Sequence, residues 1–252
     1  MCTGCVGTQE PVPDQDQEMM ELVVESQSPQ VPELIEPKPV VMVDTLEKVS
    51  PQILEAYEAT RGLLTHTDPA IGRCVLVGGA AMQFLGLDRT IQSNNLDFFA
   101  EPQVISAFSQ AAKLSSHFQK LNPSAWYYVA NGNAFLVQVN FFVPPAEELE
   151  AIVKGAYIVG TNNFMEGTKT FKEGAVASYC QMARLKAAEY LKGGPDALKH
   201  REDFHRLILR IKVSGRSFSR ENVDLSSKEK DDMTQIALLF GGGYDRFMSA
   251  IW

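Results

Sequence analysis

The first residues that could do chemistry are two adjacent glycines, Gly78 and Gly79. They follow the apolar run Cys74–Val77 and precede a helical segment that starts at Ala80. Backbone amides exposed at the start of a helix attract phosphate, so this turn could cradle a nucleotide. The alternative is that two glycines simply let a helix and a strand pack closely. A Rossmann fingerprint is excluded, because its spaced third glycine is missing.

The second candidate is a polar segment that leads into another apolar run. Asn95 and Asp97 stand one residue apart where the run Leu96–Ala100 begins. Further along the chain, strict alternation places Asn140 and Gln138 on one face of a predicted strand. One carboxylate and several amides are therefore the polar groups that these segments offer to a site.

An α/β or α+β fold is needed to position these residues. The apolar runs predict strands at Cys74–Val77 and Leu96–Ala100. A hairpin is predicted through Asn131-Gly132, the favoured turn dipeptide, with arms at Trp126–Ala130 and Phe135–Val143. We expect a small, mixed, twisted sheet of four to five strands flanked by helices.

Helical periodicity and capping signals complete the predicted elements. Helices are predicted from Ser50-Pro51 onward, over Gln103–Phe118, Ala175–Leu191 and Asp196–Val213, and from the capping box of Ser226 and Glu229 to Phe240, with weaker strands at Tyr157–Val159 and Thr168–Phe171. The chain then divides into a disordered acidic leader at 1–45, an α/β core at 46–172 and a helical C-terminal region at 173–252 that packs on the core.

In order and spacing, these motifs resemble the signature of the DNA polymerase beta-like nucleotidyltransferase superfamily. The residues that carry the likeness are Val75 to Ala81, Gly86, Arg89 and Ser93 to Phe99. In that family a strand leads into a Gly-Gly or Gly-Ser turn and a short helix, and the next strand carries two acids one residue apart. The pattern is most similar to the minimal branch that includes bacterial abortive-infection toxins and antibiotic nucleotidyltransferases.

The helical half of the chain adds to the resemblance. Leu185 to Ala188 and Lys199 to Phe204 are similar to a family segment in which a lysine near the site is followed by a basic-Asp-aromatic helix. The likeness implies that Gly78, Gly79 and Ser93 would hold phosphate. It also implies that Lys186 would neutralise charge on a triphosphate.

A metal site of three acids is a further implication of the resemblance, and it would bind Mg²⁺ or Mn²⁺ with a nucleoside triphosphate. The three positions are Asn95, Asp97 and Asn140 in this chain, which leaves Asp97 as the remaining catalytic acid and metal ligand. Asparagine offers a neutral carbonyl to a cation that prefers charged oxygen. It also cannot act as a general base. The resemblance therefore implies the fold more strongly than the reaction.

Three functional hypotheses follow. The leading one is a catalytically degenerate nucleotidyltransferase-like protein that binds a nucleotide, another small molecule or a partner between Gly78-Gly79, Asp97 and Lys186. The second is an active metal-dependent nucleotidyltransferase that acts on a small molecule, a protein or an RNA end. The third is a non-enzymatic interaction protein that contacts a protein partner through its acidic leader.

Composition excludes several other classes of protein. The chain has 252 residues, of which 45% are hydrophobic and 21% charged, as in a globular protein rather than a collagen or a coiled coil. Residues 1–40 hold eight acids and one base, and the other 212 residues balance 23 acids against 22 bases. A nearly neutral body is not expected to coat duplex nucleic acid.

The sequence also bears on location. No uncharged run approaches the roughly 20 apolar residues of a membrane span. The first residues lack the basic and apolar regions of a secretory or mitochondrial signal, so we expect a cytoplasmic or nuclear protein. Cys2 and Cys5 belong to an inert tail or accept a lipid, because a zinc site would need two further ligands.

Basic residues of the helical half are the last group to place. They either form a rim over the Gly-Gly turn or belong to a solvated helix face with ordinary pairs: Lys186, Lys192, Lys199, Arg201 and Arg206. His200 and His205 lie five residues apart, which is not the spacing of a helical metal pair.

Overall fold

The computed structural model describes residues 40–41, 49–65, 72–87, 93–129, 135–159, 175–241 and 243–252. Within the predicted leader at 1–45, it describes Val40–Val41, which form a strand. Four sequence interpretations lie outside the described residues: those on Cys2 and Cys5, on Arg89, on the Asn131-Gly132 turn and on the strand at Thr168–Phe171.

The described residues form eight strands and eight helices. The strands are β1 (Val40–Val41), β2 (Cys74–Val77), β3 (Asn95–Ala100), β4 (Phe118–Asn122), β5 (Ala125–Val129), β6 (Leu136–Phe142), β7 (Tyr157–Val159) and β8 (Ala175–Val176). The helices are α1 (Pro51–Thr65), α2 (Gly78–Phe84), α3 (Pro102–Ala112), α4 (Ala146–Gly155), α5 (Tyr179–Lys192), α6 (Ala197–Val213), α7 (Ser227–Leu238) and α8 (Tyr244–Ser249).

One mixed sheet contains all eight described strands, in the order β1-β7-β8-β2-β3-β6-β5-β4. Its centre is the unit β2–α2–β3 with β6 beside it. β3 runs antiparallel to β2 and parallel to β6, so Val77 and Asn140 both lie opposite Asp97. The α/β class and the central strands are as the sequence predicts, and the sheet is wider than the four to five strands expected.

Two predicted helices have different bounds in the structure. The helix predicted to reach Phe118 ends at Ala112, because Phe118 belongs to β4 and packs its ring 5.3 Å from both Phe108 and Tyr128. The helix predicted from Ala175 begins at Tyr179, since Ala175–Val176 form β8 and the Ser178 side chain caps the helix. α4 was not predicted at all.

The buried face of the sheet carries an aromatic core. Along β3 the buried residues alternate with partly exposed ones, whereas in β6 the three consecutive residues from Val139 to Phe141 are all buried. α1 contacts both strands. Ring centroids lie 5.4 Å apart for Phe98 and Phe141, and 4.8 Å apart for Phe108 and Phe141. Burial of one such side chain stabilises the fold by about 1.5–3 kcal/mol. The core thus takes up the apolar side chains on one face of these strands, and polar side chains lie on the opposite face.

β4 forms one edge of the sheet. Of its five residues, only Phe118 is buried, and the others from Gln119 to Asn122 are exposed. Its register against β5 shifts between Lys120 and Asn122. The edge strand is therefore irregular and carries a charge.

A buried polar cluster joins the C-terminal segment to the sheet. Glu221 is 7% exposed, and its carboxylate accepts hydrogen bonds from the Cys180 amide at 3.0 Å and from Arg216 at 3.1 Å. Tyr157 on β7 donates its hydroxyl to the same carboxylate, and Arg216 lies over the Tyr157 ring. One carboxylate therefore ties together β7, the start of α5 and the segment that follows α6.

Among the helices that the structure describes, none combines the length and the apolar character that crossing a membrane requires. The capping box predicted for Ser226 and Glu229 opens α7, with both reciprocal hydrogen bonds present.

Candidate functional site

The parallel register of β3 and β6 builds the centre of the candidate site. Asp97 lies opposite Asn140, and Asn95 lies opposite Gln138, with all four on the polar face. The Asn140 amide donates a hydrogen bond to Asp97 Oδ1 at 2.8 Å. Gln138 in turn donates to Asn140 Oδ1 at 2.7 Å. The result is a directed chain of two amides that ends on the carboxylate.

Asp97 is half-buried, and its surroundings disfavour its charge. Burial raises the pKa of the carboxyl above its ordinary value of 3.8. The hydrogen bond from Asn140 and the positive charges of Lys186 and Lys199 act in the opposite direction and lower that pKa. Burial is the largest of these effects, so the site holds a carboxylate that is compensated only in part.

Gly78 begins α2 and touches the carboxylate. Its φ is +73°, a left-handed conformation that glycine adopts readily. A Cβ atom at this position would stand 2.6 Å from Asp97 Oδ2. A side chain at position 78 would be disfavoured both by the backbone conformation and by the contact with Asp97. The turn therefore depends on glycine at this position.

Ser93 and Asn95 fix the start of β3. The Ser93 hydroxyl accepts a hydrogen bond from the Asn95 backbone N–H at 3.3 Å and donates one to the Asn95 backbone carbonyl at 3.2 Å. Gln83 of α2 donates to the Ser93 carbonyl at 3.4 Å. The turn after β2 and the entry to β3 are thus linked behind the site.

Lys186 lies on α5, buried beside the site and paired. Its ammonium is 3.3 Å from Asp203 Oδ2 on α6 and 3.4 Å from His200 Nδ1. Lys186 is 6% exposed and Asp203 is 2% exposed. Burial, with the Lys186 charge as the second cause, lowers the pKa of His200 below its ordinary value. The Lys186 charge is therefore largely matched by Asp203 before any ligand arrives.

The residues present do not fit a pair of divalent cations. Asp97 is the sole carboxylate on the three positions, and its Oδ1 already accepts from the Asn140 amide. The Asn140 carbonyl oxygen is itself occupied by Gln138. Within the described ranges, no three His, Cys, Asp or Glu side chains cluster where they could hold a metal. Two metal ions would need charge that this donor set lacks.

The structure brings most of the predicted site residues together. Asp97, Asn140 and Gly78 are in direct contact, Asn95 shares their face, and Lys186 acts on Asp97 through its charge. The remaining two predicted site residues do not contact Asp97 in this way: Gly79 is buried in α2, and Ser93 lies at the start of β3.

Two contacts of the site are not predicted by the sequence. Strand alternation had placed Gln138 on the face of Asn140, but nothing local showed that it would hold the Asn140 carbonyl. The partner of Lys186, Asp203, comes from another helix, 17 residues later in the chain. Its only signal was the resemblance of the Lys199 to Phe204 segment.

Sequence comparisons find no relatives: no protein-family model matches the chain, and neither does any curated protein. Five chains of known structure are similar to this one, including the following two. The crystal structure of an antigenic nucleotidyltransferase-like protein from Paracoccidioides brasiliensis is 13% identical, with a TM-score of 0.58 over 80% of this chain and 94% of that chain. The solution structure of the antibiotic-resistance factor ANT(2'')-Ia is 11% identical, with a TM-score of 0.40 over 78% and 92%.

The first of these similarities shows that the chain has a nucleotidyltransferase-like fold. It confirms the fold that the motifs imply.

Proposed function

We propose that this chain, whose fold is nucleotidyltransferase-like, is a catalytically degenerate protein that binds a nucleotide or a partner around Asp97 without transferring nucleotidyl groups. The observation that carries the proposal is the hydrogen bond from Asn140 to Asp97 Oδ1. At position 140, where the resemblance implies a carboxylate, the chain has an amide that donates a hydrogen bond. Asp97 is thus stabilised by a neighbouring side chain rather than left for a cation.

Loss of the general base supports the same proposal. An amide cannot accept a proton from an attacking hydroxyl at ordinary pH. The Asn140 amide is also held at both ends, by Asp97 and by Gln138, so it has a fixed orientation. Nothing at this position can activate an acceptor.

Binding still has support in the residues that line the site. The polar face offers the amides of Asn95 and Gln138, and both are partly exposed. Lys199 of α6 is partly exposed and close enough to lower the pKa of Asp97 through its charge. A phosphate would meet Lys199 more readily than Lys186, because the Lys186 ammonium is already paired with Asp203. Gly78, Gly79 and Ser93 keep their predicted role beside that phosphate.

The test is a calorimetric titration of the full chain with each ribonucleoside triphosphate, with and without Mg²⁺ or Mn²⁺. We expect binding that is indifferent to metal. Lys199→Gln should weaken it about tenfold, the effect of one lost charged hydrogen bond. Lys113→Gln, an exposed lysine after α3, is the matched control and should change nothing.

A designed variant makes the metal argument sharper. Asn95→Asp with Asn140→Asp restores three carboxylates, and nucleotide binding by this variant should become dependent on Mg²⁺. Metal-dependent binding by the unmodified chain, lost in Asp97→Ala, would instead identify an active transferase. Absence of any nucleotide binding would favour the third hypothesis, an interaction protein that contacts its partner through the acidic leader.

The expected cytoplasmic or nuclear location stays a prediction.

A further inference from the structure

A cleft in the C-terminal region lies between α6 and α8 and is separate in its residues from the Asp97 site. It has a volume of about 370 Å³ and is lined by Leu209, Lys212, Gly243, Tyr244, Arg246 and Phe247. That volume is near the lower end of the range of small-molecule sites. The described lining combines two cations with two aromatic rings.

The two cations line the same cleft. Lys212 and Arg246 are both exposed, and neither forms an ion pair with an acidic side chain in the part of the chain that the structure describes. The Lys212 ammonium lies 4.3 Å from the centroid of the Phe247 ring. A ring face attracts an ammonium and holds it in place, but it leaves the full charge available. Among the described side chains, the cleft therefore presents positive charge that an anionic ligand could neutralise.

The aromatic wall of the cleft is held rigidly. The Tyr244 hydroxyl lies 2.5 Å from His205 Nε2, and the Tyr244 ring lies 5.2 Å from the Phe247 ring. His205 is itself stacked on Phe240, with ring centroids 4.0 Å apart and an interplanar angle of 6°. Tyr244 is thus held by its hydrogen bond to His205 and by its ring contact with Phe247, and Phe240 supports His205. A flat ring facing the cleft is already in position for a ligand ring to stack on it.

We propose that this cleft binds a small ligand in which a planar ring carries a phosphate, of the size of a nucleoside monophosphate. The phosphate would pair with Lys212 and Arg246, which come from two different helices and together match its charge. The ring would lie against Tyr244. The assignment does not rest on the proposed function, because the cleft shares no residue with the Asp97 site.

The test is a calorimetric titration of the full chain with adenosine monophosphate. Ribose 5-phosphate supplies the charge without the ring, and adenosine supplies the ring without the charge. Both should bind more weakly than the monophosphate. Lys212→Gln and Arg246→Gln should each weaken monophosphate binding about tenfold, and Lys113→Gln should leave it unchanged.

A second pair of variants tests the ring. Tyr244→Phe keeps the aromatic face and should retain monophosphate binding, while Tyr244→Leu should weaken it. Thermal unfolding of every variant checks that it is folded, and the three exposed cations tolerate substitution because they carry no buried contact.

Several outcomes would overturn the proposal. The first is no saturable binding of the monophosphate. Another is unchanged affinity in both Lys212→Gln and Arg246→Gln. A loss in Asp97→Ala or Lys199→Gln, with the cleft variants unaffected, would place the nucleotide at the Asp97 site instead. That last result would support the proposed function while refuting this one, so the two fail separately.

Discussion

Asp97 is a carboxylate in surroundings that disfavour its charge. A carboxyl whose pKa is raised in the folded state stabilises the fold most below its ordinary value of 3.8, and this contribution is lost as the pH rises through the folded pKa. At neutral pH the ionised group therefore costs stability. Such a cost is typical of a residue kept for binding rather than for folding.

Asp97→Asn should consequently stabilise the protein at pH 7, by about 1 kcal/mol. The gain should disappear near pH 3, where Asp97 is protonated in both states. Urea unfolding followed across this pH range measures the effect. Glu101→Gln is a control of opposite sign, because contacts with Arg73 lower the pKa of Glu101, and its loss should destabilise the protein at pH 7. A destabilised Asp97→Asn at pH 7 would contradict the argument.

Gly78 offers a second test at the scale of one residue. Gly78→Ala must accept a left-handed backbone and also displace Asp97 Oδ2, which would be 2.6 Å from the new Cβ. Gly193 has nearly the same φ, +76°, with no atom within 4 Å of a built Cβ. Gly193→Ala should cost about 1–3 kcal/mol for the backbone alone, because its ψ of −159° lies in a region that is almost restricted to glycine. Gly78→Ala should cost a further 1–3 kcal/mol or so, as overpacking does.

The measurement for this pair is the free energy of unfolding from urea denaturation. Nucleotide affinity provides an independent readout, since Gly78→Ala should shift Asp97 and Gly193→Ala should not. Equal losses of stability in the two variants would show that the close approach to Asp97 carries no energetic weight.

The ion pair between Lys186 and Asp203 belongs to the scale of elements, because it joins α5 to α6. Both side chains are buried, so removal of one partner takes from the other the opposite charge that lies 3.3 Å away. Lys186→Met should cost about 3–5 kcal/mol, and Lys186→Met with Asp203→Leu should recover much of the loss. The exposed pair of Lys192 and Glu189 is the matched control, and Lys192→Met should cost under about 0.5 kcal/mol.

Chemical denaturation of the three variants gives these differences directly. If the double variant were no more stable than Lys186→Met, the pair would contribute through packing rather than charge.

Elements with a strong local pattern could be predicted from the sequence. β2, β3 and β6 have apolar runs or strict alternation, and α7 has its capping box. β4 could not be predicted, because a strand with one buried residue in five lacks the alternation that defines a half-buried strand. β8 could not be predicted either, since two residues become a strand only when Val176 pairs with Leu76 and Tyr157.

The candidate site can likewise be predicted from the sequence only in part. Its positions on β3 and β6 follow from local sequence and from the resemblance. The register that places Asp97 opposite Asn140 is a long-range property of two strands 43 residues apart. Asp203 likewise meets Lys186 only after α5 and α6 have packed together. Sequence therefore predicts which residues are available, and tertiary packing decides which of them touch.

At the scale of the whole molecule, Glu221 holds the C-terminal segment on the sheet. Glu221→Ala should lower the free energy of unfolding by about 3–5 kcal/mol, because it removes a buried carboxylate that accepts hydrogen bonds from Arg216, Tyr157 and the Cys180 backbone amide. Glu202→Ala, at an exposed position of α6, is the control and should have an effect within about 0.5 kcal/mol.

Fluorescence of Trp126 and Trp252 reports on the sheet and on the C-terminus, and circular dichroism reports on the helices. The signals should move together in Glu221→Ala, in one cooperative transition at lower urea. If Trp252 changed well before the helical signal, the cluster would hold only the terminal segment and not the fold.

The irregular edge strand β4 has a consequence for how copies of this protein behave in concentrated solution. An even, unpaired strand edge invites a second molecule to extend the sheet, and repeated extension leads to fibrils. The shifted register between Lys120 and Asn122 breaks the row of available amides and carbonyls, and the lysine charge opposes a like-charged neighbour. The β4 edge should thus not start ordered aggregates until it is straightened or loses its charge.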